Sequence, residues 1–271
     1  LPHQTTHQKE FRRKAGRVCP NHPVRVQSRQ GQPEVDRATD RVNQKGREAE
    51  GVAMTLTSYS IDQILGTGAS QLRQPSIPSL ASYEARATYL TSNYALNQVF
   101  RSKWAEPLHS YVVNFLRKIE SAFQEYRSAR GQTLLFSGSQ RQEVSSYFRA
   151  LAHWENFLAN CSHAQNLLAT FTGVPTFEKG DGTAQEKINC LYNHLKHVDS
   201  RIELGSILQG KLMPVWMTND GLLSADASLS YTEAADCLLA LVDFADILKD
   251  PQSARERAGQ IQQVRLRTPS A

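Results

Sequence analysis

Apolar side chains recur along most of this chain at helical spacing, in long tracts separated by glycine, proline and short polar stretches. A short apolar segment, Tyr59 to Leu65, precedes a connector that runs through Gly66, Gly68, Pro75 and Pro78. From about Ser79 to Arg130 the pattern predicts helix, with a break near Pro107 and an end at Gly131. The second part of that tract sets Leu108, Val112, Phe115, Leu116, Ile119 and Phe123 on one face. The next helix is expected to start near Ser139, where Ser139 and Gln142 have capping-box spacing. Val144, Tyr147, Phe148, Leu151, Trp154 and Leu158 supply its buried stripe, and Gly173 and Pro175 stop it.

After the loop FEKGDGT, Thr183 and Glu186 form a second capping-box pattern. The helix beyond, over 184–210, carries Ile188, Leu191, Tyr192, Leu195, Val198 and Ile202 on one face. A third box, Ser230 and Glu233, opens a last helix with Ala234, Leu238, Leu241, Val242, Ala245 and Leu248 buried, and Pro251 ends it. Between these two helices, Val215 to Thr218 reads as a strand and Asn219-Asp220-Gly221 as a tight turn. The fold class expected is therefore all-α, a helical bundle of about five to six helices with a small β-hairpin insertion before the last one.

The first 53 residues show neither helical nor strand periodicity and few large apolar side chains, so they are expected to be disordered. This segment holds eleven Lys/Arg against six Asp/Glu, which accounts for the whole net charge of +5 and leaves 20 of each sign in the rest. The basicity thus belongs to the segment and not to the fold. The first methionine is Met54, and Glu50-Gly51 would be encoded by a purine-rich run where a bacterial ribosome-binding site belongs. The expected organisation is a translated leader over 1–53, a helical domain over 54–250 and a flexible polar tail over 251–271. A basic arm for RNA, DNA or anionic surfaces is the other reading of 1–53.

Cys19, Cys161, Cys190 and Cys237 are widely spaced with no CxxC pair, the pattern of reduced thiols and not of a disulfide framework. With no secretory signal and no apolar run approaching a bilayer's thickness, a cytoplasmic protein with no membrane association is expected.

The segment from Lys187 to Arg201 holds the main chemical interest. Opposite its apolar face, Cys190, His194, His197 and Arg201 fall together at spacings of four, three and four, bordered by Asn193. Three readings follow. The stripe is a solvated face; or Cys190, His194 and His197 share a zinc ion; or it is a polar site facing a second helix or subunit. No fourth ligand with partner spacing is evident, so no metal or cofactor is expected. In the third reading an imidazole exchanges protons near neutral pH and Arg201 holds a phosphate.

Tyr192-Asn193-His194-Leu195-Lys196-His197 resembles the motif of HEPN-type helical bundles, found in bacterial toxins and abortive-infection systems. In that family an Arg is followed by a polar residue, often Asn, and by a His four to six residues after the Arg. Asn193 matches the polar position and His197 the histidine, whereas Tyr192 occupies the arginine's place and departs from the pattern. The resemblance implies a homodimer whose facing sites cleave or bind RNA without a metal ion, in a bacterial defence or stress setting. His197, Asn193 and Arg201 would be its catalytic residues, and His194 and Lys196 its substrate contacts. The alternative is a non-enzymatic module of the same fold that binds a protein partner.

Other features carry less. Gly180-Asp181-Gly182-Thr183 would offer backbone N–H groups to an anion, or simply set up a helix cap. His153 reads as a packed or surface histidine, because no nucleophile pattern accompanies it. Trp104 and Trp216 read as core or edge packing.

Overall fold

In the computed structural model the chain is described over residues 58–100, 103–139 and 143–252, so the segment 1–53 expected to be a leader and the tail beyond 252 lie outside the described residues. The elements run α1 (Ser58–Leu65), α2 (Glu84–Ala87), α3 (Leu90–Phe100), α4 (Leu108–Gly138), α5 (Val144–Thr172), α6 (Ala184–Lys196), α7 (Val198–Glu203), β1 (Trp216–Met217), β2 (Gly221–Leu223), β3 (Ser228–Ser230) and α8 (Tyr231–Leu248). The protein is mostly helical with one small sheet, as the apolar spacing predicts.

The helices α4 and α5 lie antiparallel because each carries an unbroken apolar stripe that water disfavours. Early α4 meets late α5 through Phe115 and Phe171, and late α4 meets early α5 through Phe136 and Tyr147. Trp154 sits fully buried at the middle, its ring against Tyr126, Phe157 and Tyr231. Its indole N–H donates to Thr133 Oγ1 at 3.2 Å, so the one polar atom of the ring is satisfied inside the core. Helix α8 closes this pair, with Ala234, Leu238, Leu241, Val242, Ala245 and Leu248 all buried as the spacing predicts.

The boundaries teach more than the centres. Gly131 does not end α4, which runs on to Gly138. A glycine inside a helix costs about 1 kcal/mol, less than the burial of Thr133 and Phe136 one turn further on returns. Accordingly α5 starts at Val144 and not near Ser139, which instead caps the end of α4, while Gln142 lies outside the described residues. Phe148, expected inside, is 39% exposed. The tract 79–130 breaks at the expected place before Leu108 and also at Thr88-Tyr89.

Two capping patterns behave differently. At α8, Ser230 Oγ accepts from Glu233 N at 3.1 Å and Glu233 Oε2 accepts from Ser230 N at 2.8 Å, a complete box. At α6, Thr183 Oγ1 accepts from Glu186 N, but the Glu186 carboxylate reaches past the cap to Gly180 N and Gly182 N. The GDGT loop therefore spends two of its amides on its own helix's carboxylate, which favours the cap over an external anion.

The hairpin is one strand larger than expected. Strands β1, β2 and β3 form an antiparallel sheet in that order, with Met217 opposite Leu222 and Leu222 opposite Leu229. Gly221 permits it, because a Cβ there would stand 2.1 Å from Leu229 O. Asn219 ties the sheet to the connector: its Oδ1 accepts from Arg73 N and Gln74 N, and its Nδ2 donates to Gln71 O. Among the described residues no helix is long and apolar enough to cross a membrane.

Candidate functional site

Helix α6 is a ridge with a buried base. Ile188 and Leu191 are fully buried, holding it against α5 on one side and against α8 and β3 on the other. Lys187 Nζ reaches Glu233 Oε1 at 2.5 Å, a pair that links α6 to the start of α8. What remains is a solvent crest and two flanks, and the sequence-predicted residues divide among them.

Asn193, Lys196 and His197 lie on the crest, exposed, with Arg201 half-buried beyond them. The helix expected over 184–210 is not continuous. It breaks at His197, whose φ of −114° and ψ of 33° end α6 and begin α7. The register survives the break, because His197 N donates to Asn193 O at 3.2 Å and Arg201 N donates to His197 O at 3.1 Å. Asn193, His197 and Arg201 thus stay in succession, although α7 ends at Glu203. Val198 and Ile202, expected on the buried face, do not reach the core, and Ile202 is 62% exposed. No glycine or proline accounts for the break, and nothing else in the structure explains it.

On the first flank Tyr192 turns toward α5, where its hydroxyl and His163 Nε2 are 3.0 Å apart in a hydrogen bond. Burial lowers the pKa of His163, and Lys118 and Lys196 lower it further. Lys118 Nζ donates to Asn160 Oδ1 at 3.1 Å, and among the described residues neither lysine is ion-paired. Beside them a cleft of about 370 Å³ opens between α4 and α5, lined by Asn114, Lys118, His163, Asn166, Leu167 and Thr170. The lining is mostly apolar, but the two lysines acting on His163 give this flank a positive local field suited to an anion.

On the second flank His194 leaves the crest altogether. It lies three residues after Leu191, about 60° around the helix, and is only 3% exposed. Its Nε2 is 2.8 Å from Asp226 Oδ1 in the turn between β2 and β3, and Cys190 Sγ is 3.7 Å away from the same nitrogen. Burial lowers the pKa of His194 and outweighs the opposing pull of Asp226, so the neutral ring donates its Nε2 proton to the carboxylate. Burial and Asp226 raise the Cys190 thiol, against the pull of Arg201. His194 is therefore not available on the crest as a substrate contact. The sequence-predicted trio of Cys190, His194 and His197 is replaced by Cys190, His194 and Asp226, whose ligand atoms all lie within 4.8 Å of one another.

An apolar cavity of about 430 Å³ lies elsewhere, among α5, the start of α6 and α8, and none of Asn193, His194, Lys196, His197 and Arg201 lines it. His153 pairs with Glu125 at 2.6 Å, an ion-pair-distance contact between α5 and α4 that fits its reading as a packed residue. Lys118, His163 and Asp226 were invisible to sequence reasoning, since each joins the site from another element with no fixed spacing to α6. No family model matches the chain, and no curated protein or solved structure matches it either.

Proposed function

We propose that the crest of α6 and its cationic flank bind RNA, and that two copies of the chain cleave it without a metal ion, as HEPN-type proteins do. The observation that carries this reading is the cluster of Lys118, His163 and Lys196, two lysines without ion pairs among the described residues around a half-buried imidazole, beside exposed Asn193 and His197. A phosphodiester would repay the repulsion these groups feel in its absence.

Cleavage of RNA requires one group to take the ribose 2′-hydroxyl proton as that oxygen attacks phosphorus. A second group protonates the departing 5′-oxygen as the P–O bond breaks. His197 of each copy supplies one of these roles, Asn193 orients the phosphate, and Arg201 and Lys196 offset its developing charge. The exposed Ile202, Leu204 and Leu208 just beyond Arg201 supply an apolar rim for the association of two copies. The resemblance carries a bacterial defence or stress setting with it.

A second reading draws on Tyr192, which stands where the family has its arginine and is engaged with His163. Without that cation the same surface would bind RNA or a protein partner and leave it intact.

The test is incubation of the full chain with single-stranded RNA in EDTA, with His197→Ala alongside. Cleavage by the parent and not by the variant, with RNA retention equal in both, is the expected result. Retention without cleavage by either protein would select the non-enzymatic reading, and no retention would overturn both RNA readings.

A further inference from the structure

We propose that Cys190 Sγ, His194 Nε2 and an Asp226 carboxylate oxygen form a binding site for one divalent transition metal of the zinc class, with a fourth position open to solvent. This site does not rest on the RNA reading and lies on the opposite flank of α6 from the cationic cluster.

The donor set selects the metal. A thiolate, an imidazole and a carboxylate together suit zinc and its first-row neighbours, whereas magnesium and calcium take oxygen donors alone. Three protein ligands and one open position is the arrangement of a zinc site that exchanges its fourth ligand.

The geometry needs little adjustment. A tetrahedral zinc with its usual bond lengths of roughly 2.0 to 2.3 Å separates its ligand atoms by about 3.3 to 3.6 Å. Cys190 Sγ and His194 Nε2, one helical turn apart on α6, already stand at 3.7 Å. His194 Nε2 and Asp226 Oδ1 stand at 2.8 Å, closer than a shared metal requires by roughly 0.5 Å. The side chain that must give way is the one with room to do so, since Asp226 is 63% exposed to solvent. The β2–β3 turn is itself held, because Ser224 Oγ accepts from Ala227 N at 3.0 Å and donates to Asp226 Oδ1 at 3.2 Å.

Protons balance as follows. The Cys190 thiol loses its proton to solvent, and the His194 proton moves from Nε2 to Nδ1, which has no hydrogen-bond partner among the described residues. The metal then replaces the hydrogen bond between His194 and Asp226. Asp226 and Glu186 favour the added positive charge, and Arg201 opposes it. The consequence is a cross-link from α6 to the β2–β3 turn, and through β3 to α8.

The experiment is a titration of the metal-free, reduced full chain with Co(II), read by absorption, and with Zn(II), read by calorimetry. Cys190→Ser and Asp226→Asn are titrated alongside. Asp226→Asn keeps the fold testable, because the residue is exposed and the variant retains a hydrogen-bond acceptor. The expected result is one equivalent bound with a thiolate-to-cobalt charge-transfer band. Cys190→Ser abolishes that band, and Asp226→Asn weakens Zn(II) at least tenfold. Binding with no such band, or one-equivalent binding unchanged in both variants because other thiols or histidines carry it, would overturn the site.

Discussion

His163 and His194 stand on opposite flanks of one helix, and they meet opposite electrostatic surroundings. Burial pushes both imidazoles toward the neutral form. His163 then faces a tyrosine hydroxyl and two lysines, while His194 faces a carboxylate and a thiol. A positive neighbourhood favours an anion and a carboxylate–thiol pair favours a cation, so one residue type meets two opposite settings on either side of α6. What decides between them is the neighbouring element each side chain meets: α5 and α4 supply amides and a lysine, and the β2–β3 turn supplies an acid.

Both flanks depend on the buried base of α6. Ile188→Ala should remove that base and destabilise the fold by about 2–5 kcal/mol, with RNA retention and zinc binding falling together in chemical denaturation and binding assays. If one activity survived intact in a destabilised protein, the two flanks would not share α6 as their frame.

Gly221→Ala should act on one flank only. Its new Cβ collides with Leu229 O, so β3 and the Asp226 turn must shift at a cost of about 1–3 kcal/mol. Zinc binding should weaken while RNA retention stays near the parent's, and equal losses in both would contradict the division. On the other flank, Lys118→Glu should weaken RNA retention about tenfold and lower its salt slope by about one, with the zinc affinity unmoved.

The finest test is titration of the two imidazoles by NMR. Asp226→Asn removes the group that raises His194 and should lower that pKa further, leaving His163 unchanged. Lys118→Gln removes a group that lowers His163 and should raise it, leaving His194 unchanged. The stability consequence has one sign for both. An unfolded histidine takes up its proton near pH 6.5 and the folded one only at lower pH. Stability is therefore full above about pH 6.5 and is lost as the pH falls through the folded values, which an acid-side series of thermal melts would record.

Much of the fold was legible along the chain. The apolar spacing of α4, α5 and α8, the Ser230–Glu233 box and the Asn219–Gly221 turn each depend on residues within a few positions of one another, so local order alone specifies them. The crest residues Asn193, Lys196 and His197 were legible for the same reason. Where a distant element sets the outcome, the local pattern misleads or is silent. Gly131 lies inside a helix because Phe136 is buried beyond it. Likewise, β3 is a strand because Leu222 and Gly221 let it pair.

The sequence by itself therefore determined that the chain is mostly helical and set the apolar faces of α4, α5 and α8, because periodicity is a property of neighbours along one chain. Only the tertiary structure decided that His194 is buried against Asp226 and that Tyr192 meets His163 on α5. The partner of each is set by packing between residues 29 and 32 positions apart, and no spacing rule reaches across that distance.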